Sequence, residues 1–505
     1  MIIRPLLLAA ASAALQWAAF PPLGWWPLAW IALVPWLLLL RHCTLRSAFW
    51  WSALIGFAFF LASIHWLIYV TLPGWIILCA VMGVFTGLFG MLACTIGSPD
   101  GRQGLSLLTA RVALLLLPAA WVAVEYVRSY IFTGFGWNLL AYSQTPWRLP
   151  LQVADTLGAW GVSFLIVMVN VAMASLLVRD VPWGARTRHL ALAAAALLAA
   201  GGYGAWRIPQ ARAGALLRVA VVQGNIPQDR KWNEEYQGFI LDRYAALTQV
   251  AKATEPHLVV WPETSVPGYL DIDEDITQRI IAIAKALGRP MLVGTPRPTL
   301  VDARVLLRNT AVLLDGQGRI LTKHDKLHLV PFGEFVPFDD ALPWLRRMLP
   351  EIGRFTSGTE PTVFTAPGTA ARFGVLICFE DVFPALARRF VQRGAQALLV
   401  ITNDAWFGPT AAAIQHAQAS TLRAVELRVP IARAANTGWS GCIDASGAWL
   451  GQVEQLGRPL FVDGTYTCDL PAGPGGSLYR LWGDWFAVLC LATTAGWALL
   501  QRFLL

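Results

Sequence analysis

One short stretch of the sequence runs an apolar segment directly into groups that can react. In FGVLICFED, residues 373–381, the apolar residues lead to Cys378, and Glu380 and Asp381 follow at once. A structural cysteine lies inside a strand and needs no charge beside it, whereas a reactive thiol lies where a strand ends and a site opens. Cys378 is therefore a candidate nucleophile, although a lone strand-end cysteine is more often part of a core.

Two other segments carry residues that could act with this thiol. WPET places Glu263 just beyond an apolar run, and KHDKLHLVPFGE, residues 323–334, contains Lys326 and Glu334. Only five of the 39 Lys and Arg residues are lysines, so the chain uses arginine as its ordinary surface cation. A lysine in this segment indicates a need for a compact ammonium group. That argument does not separate Lys323 from Lys326.

A glutamate, a lysine and a cysteine together form a plausible acyl-transfer site. A free thiol has a pKa of ~8.5, so a nearby carboxylate must accept its proton during attack. An ammonium group, helped by a backbone N–H such as that of Phe379, can stabilise the oxyanion of a tetrahedral intermediate. The product is a thioester on Cys378. Taken singly, Glu263 is more often a solvated loop acid, and Lys326 a surface charge.

A cysteine–histidine site is the competing arrangement. His324, His328 and His416 are its candidates, and the first two lie four residues apart. Pro331 and Gly333 follow closely and argue against a long helix that would present both rings on one face. We favour the carboxylate as the base.

The composition indicates a membrane protein. Apolar residues make up 56% of the 505 residues, charged residues only 14%, and there are 24 tryptophans. The net charge of +8 does not indicate nucleic acid, because the arginines of the N-terminal half lie in short loops between apolar runs. Neither CxxC spacing nor a Cys/His cluster is present, so no metal is predicted. Four of the seven cysteines lie in or beside apolar runs: Cys43, Cys79, Cys94 and Cys490.

Eight apolar runs approach the ~20 residues that a membrane-spanning helix needs. They cover residues 5–22, 25–40, 50–71, 75–97, 112–132, 157–178, 189–206 and 482–503. The short loops alternate in charge: arginines precede the first run and follow the second, fourth, sixth and eighth, whereas the turns after the first and third carry no Lys or Arg. By the positive-inside rule both termini are cytoplasmic, and the segment between the seventh and eighth runs is extracytoplasmic.

That extracytoplasmic segment has the pattern of a soluble domain. Short β-branched runs predict strands at 217–223, 257–263, 290–295, 310–315, 372–378, 396–402 and 429–436. Amphipathic stretches lie between several of them, at 233–254, 272–287, 382–393 and 411–428. Strands that alternate with helices predict an α/β domain. We therefore predict a transmembrane region at 1–210, a catalytic domain at 211–475 and a last transmembrane helix at 476–505.

The motifs resemble those of the nitrilase superfamily, whose members carry a Glu–Lys–Cys triad in an α-β-β-α sandwich. VVWPET, HLVPFGEFVP and LICFED are similar to its three catalytic segments, in the same order. With the eight apolar runs added, the whole chain resembles the bacterial apolipoprotein N-acyltransferases. QGNIPQDRKW at 223–232, TNDAWFG at 402–408 and RAANTGWSG at 433–441 are also similar to segments of that family.

The resemblance implies a role for each matching residue. Glu263 would be the general base, Lys326 the oxyanion stabiliser and Cys378 the nucleophile. Three more would support the site or bind substrate: Glu334 would hold the lysine, and Glu380 and Trp232 would shape the pocket. Phe379 stands where some relatives have tyrosine, so any role of a hydroxyl group there is absent.

The family also implies partners and a location. An acyl chain would leave a phospholipid, typically phosphatidylethanolamine, and pass through the thioester to the α-amino group of a diacylated lipoprotein. The enzyme would lie in the bacterial inner membrane with its catalytic domain in the periplasm. We expect a monomer, and no metal or organic cofactor is implied.

Two features of the soluble part remain hypotheses. In the segment 339–355, Trp344 and Leu345 alternate with arginines as in an interfacial arm, which predicts a lid over the site unless the segment is a packed insertion. Replacing both with Asp should slow lipid turnover and spare folding, and unchanged turnover would reject the lid. Cys442 and Cys468 would share an oxidising compartment, but the sequence does not show that they are close.

Two rival functions use the same residues differently. A membrane-anchored amidase or nitrilase would hydrolyse small amides with the same triad and release ammonia without acyl transfer. A non-enzymatic lipid or lipoprotein carrier would retain the site as a relic, and its cysteine would be inert.

Overall fold

The structure is a computed structural model that describes residues 3–97, 112–212, 214–301, 304–337, 347, 353 and 355–504. The chain divides into two compact units. The helical unit contains Met1–Pro209, Thr410–Glu426 and Ser477–Leu505, and the sandwich unit contains Gln210–Pro409 and Leu427–Gly476. A helix from the middle of the predicted catalytic domain thus groups with the helical unit. The predicted domain boundaries remain a prediction.

The helical unit contains helices of very different lengths. Four helices in the described residues are long and apolar enough to cross a membrane: Leu45–Ser63, Leu72–Ile96, Ala159–Leu177 and Trp183–Ala211. Shorter apolar helices are Ile3–Ala18, Trp26–Leu40 and Trp485–Gln501. The predicted apolar helical region is confirmed at this level, and the count of eight spans remains a prediction. The remaining α-helices of the unit are Ala113–Tyr130, Arg148–Leu151, Ala154–Leu157, Ala412–Leu427 and Leu478–Trp482.

A buried glutamine attaches the helix Ala412–Leu427 to the rest of the helical unit. Gln415 Oε1 accepts hydrogen bonds from the indole N–H groups of Trp66 and Trp137, at 3.1 and 2.9 Å. Its Nε2 donates to the carbonyl oxygens of Pro21 and Ser63, at 3.1 and 2.9 Å. One side chain therefore satisfies two donors and two acceptors that burial would otherwise leave unpaired.

The sandwich unit contains two six-stranded sheets. The first has the strand order β12-β1-β2-β3-β4-β5, and the second has the order β11-β10-β9-β8-β7-β6. The strands are β1 (Ala215–Gln223), β2 (Leu258–Val260), β3 (Met291–Val301), β4 (Arg304–Leu314), β5 (Ile320–Asp325), β6 (Val363–Thr365), β7 (Arg372–Ile377), β8 (Ala397–Thr402), β9 (Ile431–Ala435), β10 (Gly441–Ile443), β11 (Trp449–Gln452) and β12 (Gly464–Pro471).

The parallel strands form the buried centre of each sheet. β1, β2 and β3 pair in parallel, as do β7, β8 and β9, whereas the outer strands pair antiparallel. Strands covered on both faces read as continuous apolar runs, which is why these six were predictable. One core lies between the sheets. A second lies between the first sheet and the helices Gln237–Lys252 and Glu274–Leu287. The other α-helices of the unit are Gln228–Lys231 and Pro384–Gln392.

A disulfide joins the two sheets. Cys442 lies on β10 of the second sheet and Cys468 on β12 of the first, and the two form a disulfide with a Cα–Cα distance of 6.6 Å. The bond closes a separation of 26 residues, so it restricts the unfolded chain as well as fastening the sandwich. The pairing that the sequence left open is thus present in the structure. The five other cysteines are free and buried.

Replacing Gln415 with leucine should destabilise the helical unit. The change removes the hydrogen bonds from two indole N–H groups and to two carbonyl oxygens, so we expect a loss of roughly 3 kcal/mol in the free energy of unfolding. Thermal unfolding of the purified protein in detergent measures this as a drop of several degrees. The matched control on the same helix is Gln418→Leu, because Gln418 Oε1 has no hydrogen-bond partner among the described residues. Equal unfolding temperatures for the two variants would contradict the role of Gln415.

Candidate active site

Three loops at strand ends supply the candidate catalytic residues. Glu263 follows β2, Lys326 follows β5 and Cys378 follows β7, so the first two come from one sheet and the third from the other. All three side chains are buried, with exposed fractions of 6% for Glu263, 1% for Lys326 and 7% for Cys378. The sandwich thereby places charged groups and a thiol in an interior where electrostatic interactions are stronger than in water.

Lys326 lies between two carboxylates. Its Nζ is 2.9 Å from Glu334 Oε1 and 3.6 Å from Glu263 Oε1. Burial opposes the charge on Lys326, but the carboxylates of Glu334 and Glu263 favour it, and the pKa of Lys326 is raised. By contrast, Lys323 is partly exposed and pairs with Asp271 at 2.6 Å. The structure thus separates the two lysines that the sequence left equivalent.

Glu263 is fixed by hydrogen bonds to both carboxylate oxygens. Asn309 Nδ2 donates to Oε1 at 2.7 Å, and the backbone N–H of Asn403 donates to Oε2 at 2.8 Å. Gly294 on β3 permits this arrangement, because a Cβ there would lie 2.6 Å from the backbone oxygen of Pro262 and the nitrogen of Thr264. The glutamate is therefore held in one orientation before any substrate binds.

Cys378 begins a turn of 3₁₀ helix with an unusual backbone conformation. Its φ of 59° lies in the left-handed region, which a non-glycine residue adopts at a cost of about 1–3 kcal/mol. Burial raises the pKa of the thiol, the charge of Glu263 raises it further, and Lys326 opposes the rise. The resting group is thus a neutral thiol, which needs a base to remove its proton as it attacks.

Glu380 connects the lysine segment to the cysteine segment. Its Oε1 accepts from the backbone N–H groups of Leu327 and His328, at 2.7 and 2.9 Å, and its Oε2 accepts from that of Ile377 at 2.8 Å. Burial raises the pKa of Glu380 to about 7, although these N–H groups lower it. One side chain thus holds the residue after Lys326 and the residue before Cys378 in a fixed relation.

The two predicted aromatic residues occupy different environments. Lys326 Nζ lies 5.8 Å from the centre of the Phe379 ring, within the range of a cation–π interaction. His328 packs against the same ring at 5.4 Å. Trp232 follows directly after the helix Gln228–Lys231, and its side chain is about half exposed.

The histidines lie in other surroundings. His324 Nδ1 accepts from the backbone N–H of Thr362, and burial lowers the pKa of its ring to about 4. His328 stacks on Phe383 with a centroid distance of 4.0 Å, and His416 belongs to the helical unit. The charged groups that act most strongly on the Cys378 thiol include Glu263, Lys326, Glu334 and Asp404.

Comparisons with known proteins find matches in both the N-terminal helical region and the sandwich region of the chain. Residues 12–172 match the model of the apolipoprotein N-acyltransferase N-terminal domain, and residues 218–461 match the carbon-nitrogen hydrolase model. An apolipoprotein N-acyltransferase from Geobacter metallireducens is 35% identical over 97% of this chain and 94% of its own length. Another from Allorhizobium ampelinum is 36% identical over 88% of this chain and 86% of its own.

The chain belongs to the apolipoprotein N-acyltransferase family. The resemblance drawn from the sequence motifs is thereby confirmed. Among solved structures, the chain is also similar to a mutant of the Nesterenkonia AN1 amidase from the nitrilase superfamily. That match has 20% identity and a TM-score of 0.37, and it covers 53% of this chain and 94% of that one.

Three residues in this family member contact the site without having been predicted as site residues. They are Asn309 and Asn403, which bind Glu263, and Lys231, whose Nζ donates to the backbone oxygen of Glu263 at 2.9 Å. Lys231 and Asn403 lie in the segments QGNIPQDRKW and TNDAWFG, which the resemblance had already marked. The scarcity of lysine was a second available signal for Lys231, whereas nothing in the sequence distinguishes Asn309. The predicted lid residues, Trp344 and Leu345, lie outside the described residues.

Replacing Glu263 with glutamine should slow the reaction of Cys378 with an alkylating agent. A glutamine side chain does not accept the thiol proton, so we expect roughly a 100-fold loss in rate at neutral pH. Iodoacetamide modification, located at Cys378 by peptide mass, measures the rate. The matched control is Glu274→Gln, which removes an exposed carboxylate on the helix Glu274–Leu287. A Glu263→Gln rate equal to that of the control would show that Glu263 is not the base.

Proposed function

We propose that this chain is an acyltransferase that moves an acyl chain from a phospholipid to the α-amino group of a diacylated lipoprotein. The observation that carries the proposal is the pairing of the buried Lys326 with the buried Glu263 and the partly buried Glu334, beside the Cys378 thiol, in a member of the apolipoprotein N-acyltransferase family. The helices long enough to span a membrane fit substrates that are both anchored in lipid.

The first half-reaction would acylate the cysteine. As Cys378 Sγ attacks the ester carbonyl carbon, Glu263 takes the thiol proton and the carbonyl oxygen becomes an oxyanion. Lys326 and the backbone N–H of Phe379 would stabilise that oxyanion. Collapse of the tetrahedral intermediate breaks the bond to the glycerol oxygen, which receives the proton from Glu263. A thioester and a lysophospholipid are the products.

The second half-reaction would transfer the chain to the acceptor. The neutral α-amino nitrogen attacks the thioester carbonyl carbon, and Glu263 takes one of its protons. The carbon–sulfur bond then breaks, and the departing thiolate receives that proton. The energy comes from the ester of the donor, so neither step draws on a nucleotide. Burial of the cysteine protects the thioester from water between the steps.

The surrounding residues would act by positioning. Asn309 orients Glu263, Glu334 orients Lys326, and Glu380 holds the two segments together. Trp232 and Phe379 would border the acyl pocket. Phosphatidylethanolamine is the proposed donor, and the proposed active form is a monomer.

The chain would lie in the inner membrane with eight spans, both termini cytoplasmic and the catalytic domain, 211–475, in the periplasm. The distribution of arginines among the short loops supports this orientation. The disulfide between Cys442 and Cys468 supports it independently, because disulfides persist in the periplasm and are rare in the cytosol.

Incubation with phosphatidylethanolamine vesicles should add the mass of one acyl chain to the intact protein. The adduct should be absent from Cys378→Ala and should disappear from the wild type when a diacylated lipopeptide is added. Intact-protein mass spectrometry resolves all three states. An adduct that persists in the variant would rule out Cys378 as the carrier, and release of ammonia from small amides with no acyl transfer would favour a hydrolase.

Cysteines introduced on the two sides of the membrane should differ in accessibility. In spheroplasts we expect a membrane-impermeant maleimide to label Glu235→Cys, in the sandwich unit. Arg188→Cys, near the start of the helix Trp183–Arg207 at the end predicted to be cytoplasmic, should be labelled only after permeabilisation. Both parent residues are exposed, so access to the reagent is not limited by folding. Labelling in the opposite order would invert the proposed orientation.

A further inference from the structure

A second buried ammonium group, that of Lys231, contacts the backbone of the loop that carries Glu263. Lys231 ends the short helix Gln228–Lys231, and only 4% of its side chain is exposed. Its Nζ donates to the backbone oxygen of Glu263 at 2.9 Å. Among the described residues, this carbonyl is the one hydrogen-bond acceptor that the ammonium group has. Two of its three N–H bonds are therefore unused by the described part of the chain.

A purely structural role does not account for a charge at this position. Burying an ammonium group is costly unless it is paired, and a neutral donor would hold one carbonyl oxygen as well. The ammonium group of Lys231 interacts electrostatically with Glu263, and with Cys378 when the sulfur carries negative charge. Lys231 is thus a cation close to the base and the nucleophile, and its one hydrogen-bond acceptor among the described residues is a neutral carbonyl. This arrangement indicates an electrostatic role.

The charges around the Cys378 thiol show why a further cation would assist the reaction. Glu263, Glu334 and Asp404 all raise the pKa of Cys378, and Lys326 opposes them. Lys326 itself is engaged by Glu334 at 2.9 Å. Asp404 lies near Arg433, which also pairs with Asp381 at 2.9 Å. The carboxylates named here thus outnumber the cations near the thiol, and a charged Lys231 reduces that excess.

We propose that Lys231 is a positioning residue for the reaction, one that fixes the Glu263 turn and supplies positive charge while negative charge develops on the sulfur and the oxyanion. The proposal rests on the proposed function of Glu263 and Cys378. Lys231 acts through Glu263 and through the field at Cys378. The other charged groups on its own short helix are Asp229 and Arg230.

This role predicts a particular dependence on pH. Burial lowers the pKa of Lys231 to about 8, although Glu263 and Cys378 act in the opposite direction. The side chain is therefore charged below about pH 8 and neutral above it. Loss of this positive charge disfavours a negative charge on the sulfur, so acylation of Cys378 should slow as the pH rises through 8.

The test combines single-turnover acylation by phosphatidylethanolamine vesicles with iodoacetamide modification of Cys378, both measured from pH 6 to pH 10. The wild-type acylation rate should fall above about pH 8. Lys231→Arg keeps its charge throughout this range and should lose that falling limb. Lys231→Met has no charge at any pH, so it should react with iodoacetamide about tenfold more slowly at pH 7.5, and its slower acylation should show no fall above pH 8. The matched control is Lys285→Met, an exposed lysine, which should behave as the wild type.

The outcomes separate this role from a structural one and from failure of the proposed function. A wild-type acylation profile that stays flat above pH 8 overturns the inference without reference to any variant. Equal losses in Lys231→Arg and Lys231→Met with unshifted profiles also overturn it, because they indicate packing alone. If no acylation occurs in any protein but iodoacetamide modification still depends on the charge at 231, the acyltransferase proposal fails and the role of Lys231 stands.

Discussion

The pairing of Lys326 with two carboxylates inside the sandwich is the interaction on which the site depends. An ammonium group at 1% exposure is costly to bury without a partner. With Nζ 2.9 Å from Glu334 and 3.6 Å from Glu263, Lys326 keeps its proton, and its pKa is raised. Removing one partner of such a cluster leaves an uncompensated buried charge, which is far more destabilising than the loss of an exposed pair. The same charges keep Cys378 protonated until an acyl group arrives.

The backbone holds these groups where side chains alone would not. Asn403 donates its N–H to Glu263, and Glu380 receives three N–H groups from two different loops. The left-handed φ of Cys378 turns the chain sharply at the end of β7. Strain of this kind persists only where the surroundings fix it, and here β7 and Glu380 are those surroundings. The site is therefore prepared by the fold before substrate binds.

Much of the sandwich was predictable because its central strands are covered on both faces and read as apolar runs. The outer strands β5, β6, β10, β11 and β12 were not predicted, because they are short or partly exposed and carry polar residues such as those of KHD. The helix Ala412–Leu427 was predicted as a helix, but its sequence gave no sign that it belongs to the helical unit. That assignment depends on long-range contacts such as those of Gln415.

The candidate site shows the same division. The three motifs and their order predicted Glu263, Lys326 and Cys378 as site residues. The structure buries all three side chains, and Glu263 and Lys326 both act electrostatically on the Cys378 thiol. The distinction between Lys323 and Lys326 required burial, because both lie in one polar stretch. Asn309 contacts Glu263 across a separation of 46 residues, which no local pattern encodes. The sequence singles out Lys231 as one of only five lysines, in a segment similar to one of the family, but it does not show that this lysine contacts the backbone of Glu263.

The central claim is that an acyl chain waits on Cys378 between two independent half-reactions. The most direct measurement is acyl exchange in the absence of any lipoprotein: unlabelled phosphatidylethanolamine is mixed with isotopically labelled lysophosphatidylethanolamine and the wild-type protein. Our account predicts labelled phosphatidylethanolamine, because the first half-reaction is reversible and needs no amine acceptor, and it predicts none with Cys378→Ala. Exchange that begins only when a diacylated lipopeptide is added would mean that both substrates react together, and the covalent account would be wrong.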